Sequence, residues 1–412
     1  MADYEYIILG GGVVAGYAVQ TFVENGIQPD TLALISADDM LPYERPALSK
    51  DYLDGDANTD DILINDENFY RDNGIEVFLK TRVERINTID RTLHTTAGDT
   101  FSFDKLLIAT GSKVKMLDIP GADSNGVEYL RWLDDSSDIR GRINADTRAV
   151  VLGGGYIGME TAAVLAENDI PVTMVFPNDR LMESRFMTPE ISAFFEQYYR
   201  DRGVEIITDD LPERIVADEN DHVKAVMLQS GKRLDANLVI AGIGVEPADD
   251  LFEGTQLEID DGLLVDEYLQ TNLDGIYAAG DIANYYDMIF DKRRRIGHWD
   301  IARKHGQYAA RRMMGAEEKP FTTVPYFFSD VFDLSYEFWG EATDADEVVY
   351  RGDISADGFS AWWIRNERLI GAFVMDRPDD EREAAQQYIA ARTRTSANIL
   401  KNADPMIQTI TS

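Results

Sequence analysis

Short apolar runs broken by glycine-rich turns set the rhythm of this chain. Residues 4–9 are mostly apolar and run into Gly10-Gly11-Gly12-Val13-Val14-Ala15-Gly16. The spacing beyond predicts a helix to about Glu24, with Gly26 as its stop. Residues 31–36 follow as a second strand. The same order returns at Ala149-Val150-Val151-Leu152, then Gly153-Gly154-Gly155-Tyr156-Ile157-Gly158, a helix over 159–167 and a strand over 171–175. These two strand–turn–helix–strand units are the internal repeat of the sequence. From about residue 321 the texture changes. Residues 321–339 are dense in aromatics, 359–375 read as two strands joined around Asn366-Glu367, and a helix is expected over 379–392. The fold class is therefore α/β, with two Rossmann-like dinucleotide-binding domains and a smaller C-terminal α/β domain.

Charge changes what such a protein can meet. Asp and Glu total 75 against 39 Lys and Arg, a net charge of -36. That surface repels nucleic acid and anionic membranes, so neither is expected as a partner. The acidity spreads along the whole chain, as a property of the folded surface. A high-salt cytoplasm would screen it, and an acidic mesophile protein is the alternative. Residues 6–19 lack charge but are too rich in glycine for a bilayer span, and the acidic N-terminus is unlike a targeting peptide. A cytoplasmic location is expected. The chain has no cysteine, which excludes disulfides, thiolate metal sites and a redox-active CxxC pair. Its four histidines are scattered, and no metal is expected.

The chemistry lies in the glycine turns. Gly10 and Gly153 permit the tight turn, and Gly12 and Gly155 let backbone approach a pyrophosphate. Ala15 and Gly158 let each helix pack close to its sheet with its N-terminal amides facing the phosphates. Two nucleotides are expected. An acid about twenty residues further on usually holds the ribose hydroxyls. The first unit offers Asp38 and Asp39, whereas the second offers Asn178. Asparagine lacks the charge that rejects a 2′-phosphate, and Arg180 and Arg185 are near in sequence. Preference between NADH and NADPH is open, expected weak or tilted toward NADPH.

These motifs belong to a longer series. Tyr43-Glu44-Arg45-Pro46-Ala47-Leu48-Ser49-Lys50, Ile108-Ala109-Thr110-Gly111-Ser112, the Gly153 motif ending in Glu160, and Tyr277-Ala278-Ala279-Gly280-Asp281 occur in that order. Ala193-Phe194-Phe195-Glu196-Gln197-Tyr198-Tyr199 and Val324-Pro325-Tyr326-Phe327-Phe328-Ser329 extend it. Over nearly its whole length the chain resembles the two-dinucleotide-binding flavoprotein reductases. Within them it is most similar to monodehydroascorbate reductases and to the reductases that feed ferredoxins and rubredoxins. Apoptosis-inducing factor is a more distant relative.

The resemblance implies FAD cradled by Gly10, Gly12 and Ala15, with Asp38 near the adenosine and Arg45 and Lys50 toward the flavin. Thr110 and Gly111 would close a strand of that domain, Arg131 would contact FAD, and Asp281 would bond the ribityl chain. His298 and Trp299 would lie by the isoalloxazine. NADH or NADPH would be held by Gly153, Gly155, Gly158, Glu160, Arg185 and Gly244, with Asn178 at the ribose. By the same analogy the FAD domain is discontinuous, over 1–113 and 241–320, around a nicotinamide-nucleotide domain over 114–240 and before a C-terminal domain over 321–412. Lys50, Glu160, Arg303 and Phe328 are the implied catalytic residues, Lys50 favouring the anionic reduced flavin and Glu160 holding Lys50.

Three positions depart from the family pattern. Phe328 stands where monodehydroascorbate reductases place a tyrosine, next to the arginine matched by Arg303. Gly297 replaces a glutamate before the histidine, and Asn178 replaces the ribose acid. The expected function is transfer of electrons from NAD(P)H through FAD to a one-electron acceptor, a ferredoxin-type iron–sulfur protein. A monodehydroascorbate reductase, using a small organic radical, is the second reading, and a non-enzymatic redox sensor the third. Lys292-Arg293-Arg294-Arg295, the strongest basic run, is a docking candidate for an anionic partner. A homodimer is left open.

Overall fold

A computed structural model describes residues 2–183, 188–356 and 358–402. The chain divides into two compact units, one of Met1–Pro46, Asn58–Lys113 and Val245–Thr323, the other of Ala47–Ala57, Val114–Gly244 and Val324–Ser412.

In the first unit the apolar runs become a sheet ordered Glu76–Phe78, Leu32–Ile35, Ala2–Leu9, Thr100–Ile108, Thr92–Thr95 and Val83–Asn87, with Ile276–Ala278 also paired to Thr100–Ile108. The strands centred on Ala2–Leu9 are parallel, in register Leu9↔Ile35 and Leu9↔Ile108. Ile7, Ile8, Leu32–Ile35 and Leu106–Ile108 are all buried, the two-sided burial that parallel strands need. The helix Val13–Glu24 leaves this sheet through the glycine turn and ends, with Gly26 at φ +78°, where the sequence placed its stop. A long helix, Trp299–Met313, packs on it through Gly306. A Cβ at Gly306 would lie 2.4 Å from the Val14 carbonyl oxygen, so only glycine lets the two backbones meet. Lys292–Arg295 is a strand paired antiparallel to Ala283–Asp287, with Tyr285 opposite Arg294.

In the second unit a parallel sheet runs Glu205–Ile207, Val172–Val175, Ala149–Leu152, Leu238–Ala241, Val127–Glu128. Val150, Leu152, Val175 and Val239 form its core with Val226 and Leu228 of a three-stranded antiparallel sheet. The helix expected from residue 159 starts three residues earlier, at Tyr156, because Gly158 sits inside its first turn instead of before it. A five-stranded antiparallel sheet follows, in the order Tyr326–Val331, Leu334–Gly340, Arg368–Met375, Phe359–Arg365, Glu347–Gly352. The hairpin falls at Asn366 and Glu367, whose φ values of +51° and +57° match a two-residue turn of type I′. The helix Asp379–Ala390 covers this sheet with Ala384, Ala385, Tyr388 and Ile389.

Candidate functional site

The two cradles are built alike, each within its own unit. In the first, Gly10 has φ +120°, and a Cβ there would sit 2.2 Å from the Ala109 carbonyl oxygen. At Gly12 the nearest atom to such a Cβ is Arg45 Nε, 3.8 Å away, so the turn opens toward a guanidinium and not toward packed backbone. Gly12 has no side chain to cap the helix it begins, and Ala15 is fully buried against the sheet. Uncapped backbone amides, a helix N-terminus and an arginine make an anion site. Arg45 also lies over the Tyr43 ring, 5.3 Å from its centroid. Asp38 follows the second strand and accepts from the Met40 amide at 3.3 Å. Burial pushes its carboxyl above the ordinary value, with the Met40 amide and Arg45 opposing.

Around this cradle the sequence missed a hub, Glu44. Its carboxylate accepts from the Tyr17 hydroxyl at 2.5 Å and from the Trp299 indole N–H. Trp299 meets Tyr17 edge-on at 6.3 Å, and Arg303 lies over the Trp299 ring at 5.2 Å. Arg303 is in turn paired to the buried Asp300 at 2.9 Å, which also holds Lys304 at 2.6 Å. His298 caps the helix, its Nδ1 accepting from the Asp300 amide at 3.3 Å. Asp281 accepts from Ser112 Oγ at 2.7 Å, and a Cβ at Gly297 would stand 3.5 Å from its carboxyl carbon. Thr110 Oγ1 donates to the Ala248 carbonyl at 3.1 Å, and the Gly111 carbonyl accepts from the Ala248 amide at 3.0 Å. Further along the same helix His305 is fully buried, and its Nδ1 accepts from the Gly280 amide at 3.1 Å. Burial alone lowers its pKa to about 3.

In the basic run Arg293 is exposed, and the arginines also make contacts within the unit. Arg293 donates to the Val265 carbonyl at 2.7 Å, Arg294 pairs with the buried Asp287 at 3.2 Å, and Arg295 pairs with Asp261 at 2.9 Å. Arg294 and Arg295 are each 14% exposed, so their charge is spent inside the unit.

In the second cradle Gly153 has φ +125°, and its Cβ would lie 2.3 Å from the Gly242 carbonyl oxygen. One on Gly158 would lie 2.1 Å from the Gly153 carbonyl oxygen, whereas one on Gly155 would meet nothing within 4 Å. The open position is again the one where backbone must approach a pyrophosphate. Gly244, at φ +108°, ends the loop after Leu238–Ala241 and accepts from the Lys115 amide at 3.0 Å. Arg131 is half-buried before the helix Leu133–Arg142, its amide donating to Asp135 at 2.8 Å. Asn178 lies just past Val172–Val175, and its amide donates to Glu183 at 2.7 Å. Arg180 is engaged by Asp179 at 2.8 Å and Glu183 at 3.2 Å. Beside the uncharged Asn178, Glu183 therefore brings a negative charge that the sequence spacing did not show. Arg185 lies outside the described residues.

Lys50 and Glu160 come together across 110 residues of sequence, inside the second unit. Lys50 Nζ is 3.7 Å from Glu160 Oε1, 2.8 Å from Asp330 Oδ2 and 4.7 Å from the Phe328 ring centroid. Glu160 is buried on the helix Tyr156–Glu167 and accepts from Ser49 Oγ at 2.5 Å and Ser329 Oγ at 2.6 Å. Burial raises its pKa, and Lys50 and the two hydroxyls oppose that rise. Glu160 thus anchors this cluster, with Asp330 the nearer partner of the ammonium.

Both cradles fit a dinucleotide, each by an open glycine at an uncapped helix start. Residues 4–306 match the family model for pyridine nucleotide-disulphide oxidoreductase, and residues 326–411 the model described as reductase C-terminal. A monodehydroascorbate reductase of Solanum lycopersicum is 35% identical over 405 residues, covering 93% of each chain. Among solved structures, putidaredoxin reductase in its covalent complex with putidaredoxin superposes with a TM-score of 0.94 at 28% identity, covering 100% of this chain and 99% of that one. A ferredoxin reductase of the CYP199A2 system of Rhodopseudomonas palustris does so with a TM-score of 0.92 at 28% identity, covering 98% and 100%.

Proposed function

From the premise that this chain belongs to the pyridine nucleotide-disulphide oxidoreductase family, as a flavin-dependent NAD(P)H reductase without cysteine, we propose that its acceptor is a small iron–sulfur protein of the ferredoxin type. Bound FAD supplies hydride acceptance from NAD(P)H and release of the two electrons one at a time. We assign Gly10, Gly12, Asp38, Arg45 and Asp281 to FAD, and Gly153, Gly155, Gly158 and Asn178 to the nicotinamide nucleotide. Arg45 beside the Gly12 turn supports the first assignment, because a guanidinium there neutralises a pyrophosphate. The Glu44 hub supports a role for Trp299 as a fixed wall, since its indole is held by a carboxylate and by Arg303 at once.

One observation carries the choice of acceptor. Phe328 has no hydroxyl to offer an organic radical, and its ring is covered by the Lys50 ammonium at 4.7 Å. Arg303, the other residue matched to radical handling, is already paired to Asp300. The reductases of known structure with this fold include one captured on its redox protein, putidaredoxin. The second reading, reduction of the ascorbate radical, is favoured by the 35% identical relative and by the presence of Arg303 itself.

Rapid reduction with NADH or NADPH, followed by mixing with ferredoxin, ascorbate radical, ferricyanide or oxygen, tests the assignment. Ferredoxin should reoxidise the protein fastest among the physiological acceptors. Faster reoxidation by the ascorbate radical would reverse the ranking. A reduced form that persists with every acceptor would make the protein a sensor.

A further inference from the structure

Glu183 does work that the position of Asn178 in the sequence conceals. The segment 178–183 is tied to the second cradle, since the Met182 amide donates to the Gly154 carbonyl at 3.1 Å. The helix Pro189–Asp201 braces it, with Glu196 accepting from the Leu181 amide at 3.1 Å and Ser192 donating to the Leu181 carbonyl at 2.7 Å. Met182 takes φ +55° in this turn, and the reversal brings Glu183 back against Asn178. One carboxylate oxygen accepts from the Asn178 amide at 2.7 Å, and the other lies 3.2 Å from Arg180 Nη2. Arg180 is shared with Asp179, so two carboxylates face one guanidinium and the described side chains at this spot sum to a negative charge.

We propose that Glu183, with Asn178, selects the nicotinamide nucleotide, accepting hydrogen bonds from the ribose hydroxyls of NADH and rejecting the 2′-phosphate of NADPH. A carboxylate accepts from vicinal hydroxyls and gains charge-assisted bonds. The same carboxylate repels a doubly charged phosphate, and rejection by an unfavourable charge is a common source of selectivity. Asn178, itself exposed, supplies the orientation, its side-chain amide fixing the carboxylate. Arg180 does little to rescue NADPH, because its single charge is already shared by two carboxylates. The inference rests on the second cradle being the nicotinamide-nucleotide site.

The test uses the holoprotein at one fixed salt concentration, because screening alters any charge-based ratio. Wild type, Glu183→Gln and Glu183→Ala are compared in kcat/KM for NADH and NADPH with ferricyanide as acceptor. Calorimetric dissociation constants for 5′-AMP and 2′,5′-ADP read the adenosine end without turnover. Wild type should favour NADH, and 5′-AMP over 2′,5′-ADP, by about tenfold or more. In Glu183→Gln both ratios should fall by about tenfold, with the change largest on the NADPH side. Equal use of the two nucleotides by wild type, or ratios unmoved in both variants, would overturn the proposal. Reduction by neither nucleotide would sink the reductase reading beneath it.

Discussion

Acid should unfold the first unit through a single buried histidine. His305 has a pKa of about 3 in the folded state against 6.5 in its ordinary state. The folded protein thus binds this proton more weakly than the unfolded chain does, so stability is lost as pH falls below 6.5. Between about pH 7.5 and pH 5 the unfolded imidazole becomes charged while the folded one stays neutral, which removes about 2 kcal/mol. By pH 3 the loss reaches roughly 4–5 kcal/mol, a large part of the stability of an ordinary domain. Protonation would also put a hydrogen on Nδ1, where the Gly280 amide now donates, and Gly280 adjoins Asp281. Flavin release should therefore accompany the loss. The measurement is denaturant unfolding at the two pH values, by circular dichroism and flavin fluorescence, for wild type and His305→Asn. An asparagine carbonyl can still accept from Gly280, and the smaller side chain costs stability equally at both pH values. The many surface carboxylates cancel in the comparison. Equal pH dependence in the two proteins would refute the argument.

Three further outcomes are expected. Thermal melts in rising KCl should shift upward, because a net charge of -36 must be screened in the compact state, and a melting temperature unchanged up to molar salt would exclude a high-salt adaptation. Gly155→Val should fold with its FAD yet bind NADH at least about tenfold more weakly, since its Cβ points into open space, whereas Gly158→Val should fail to fold stably because its Cβ would meet the Gly153 carbonyl oxygen at 2.1 Å. Equal folding of both variants would contradict the cradle geometry. Phe328→Tyr, assayed by steady-state turnover, should raise ascorbate-radical reduction by about tenfold, and no gain would remove the hydroxyl as the missing element.

The glycine cradles were legible in the sequence because their requirement is local: a backbone turn, then a helix start, within a few residues. The Asn366-Glu367 hairpin was legible for the same reason. Glu183 was not, because its role depends on a left-handed residue, Met182, turning the chain back onto Asn178. Glu44 shows nothing of its role in the sequence, since its partner Trp299 lies 255 residues away. The partners of the basic run were hidden for the same reason, because composition shows three adjacent arginines but not Asp261, Asp287 and the Val265 carbonyl beside them. Asp330 was likewise invisible, and only folding sets it nearer to Lys50 than Glu160 is.

The meeting of Gly306 with Val14 also sets a timetable. The helix that follows the first glycine turn is synthesised well before the helix that braces it, which arrives roughly 290 residues later. At about 5–20 residues per second, the ribosome leaves that early helix without its brace for roughly 15–60 s. Throughout that interval the Val14 face of the helix lacks its Gly306 partner, in a chain whose acidity keeps neighbouring copies apart. Synthesis of the segment around Gly306, and not the emergence of the glycine turn itself, is then the event that braces the helix behind the first cradle, and a ribosome stalled before Gly306 should carry that helix without its brace.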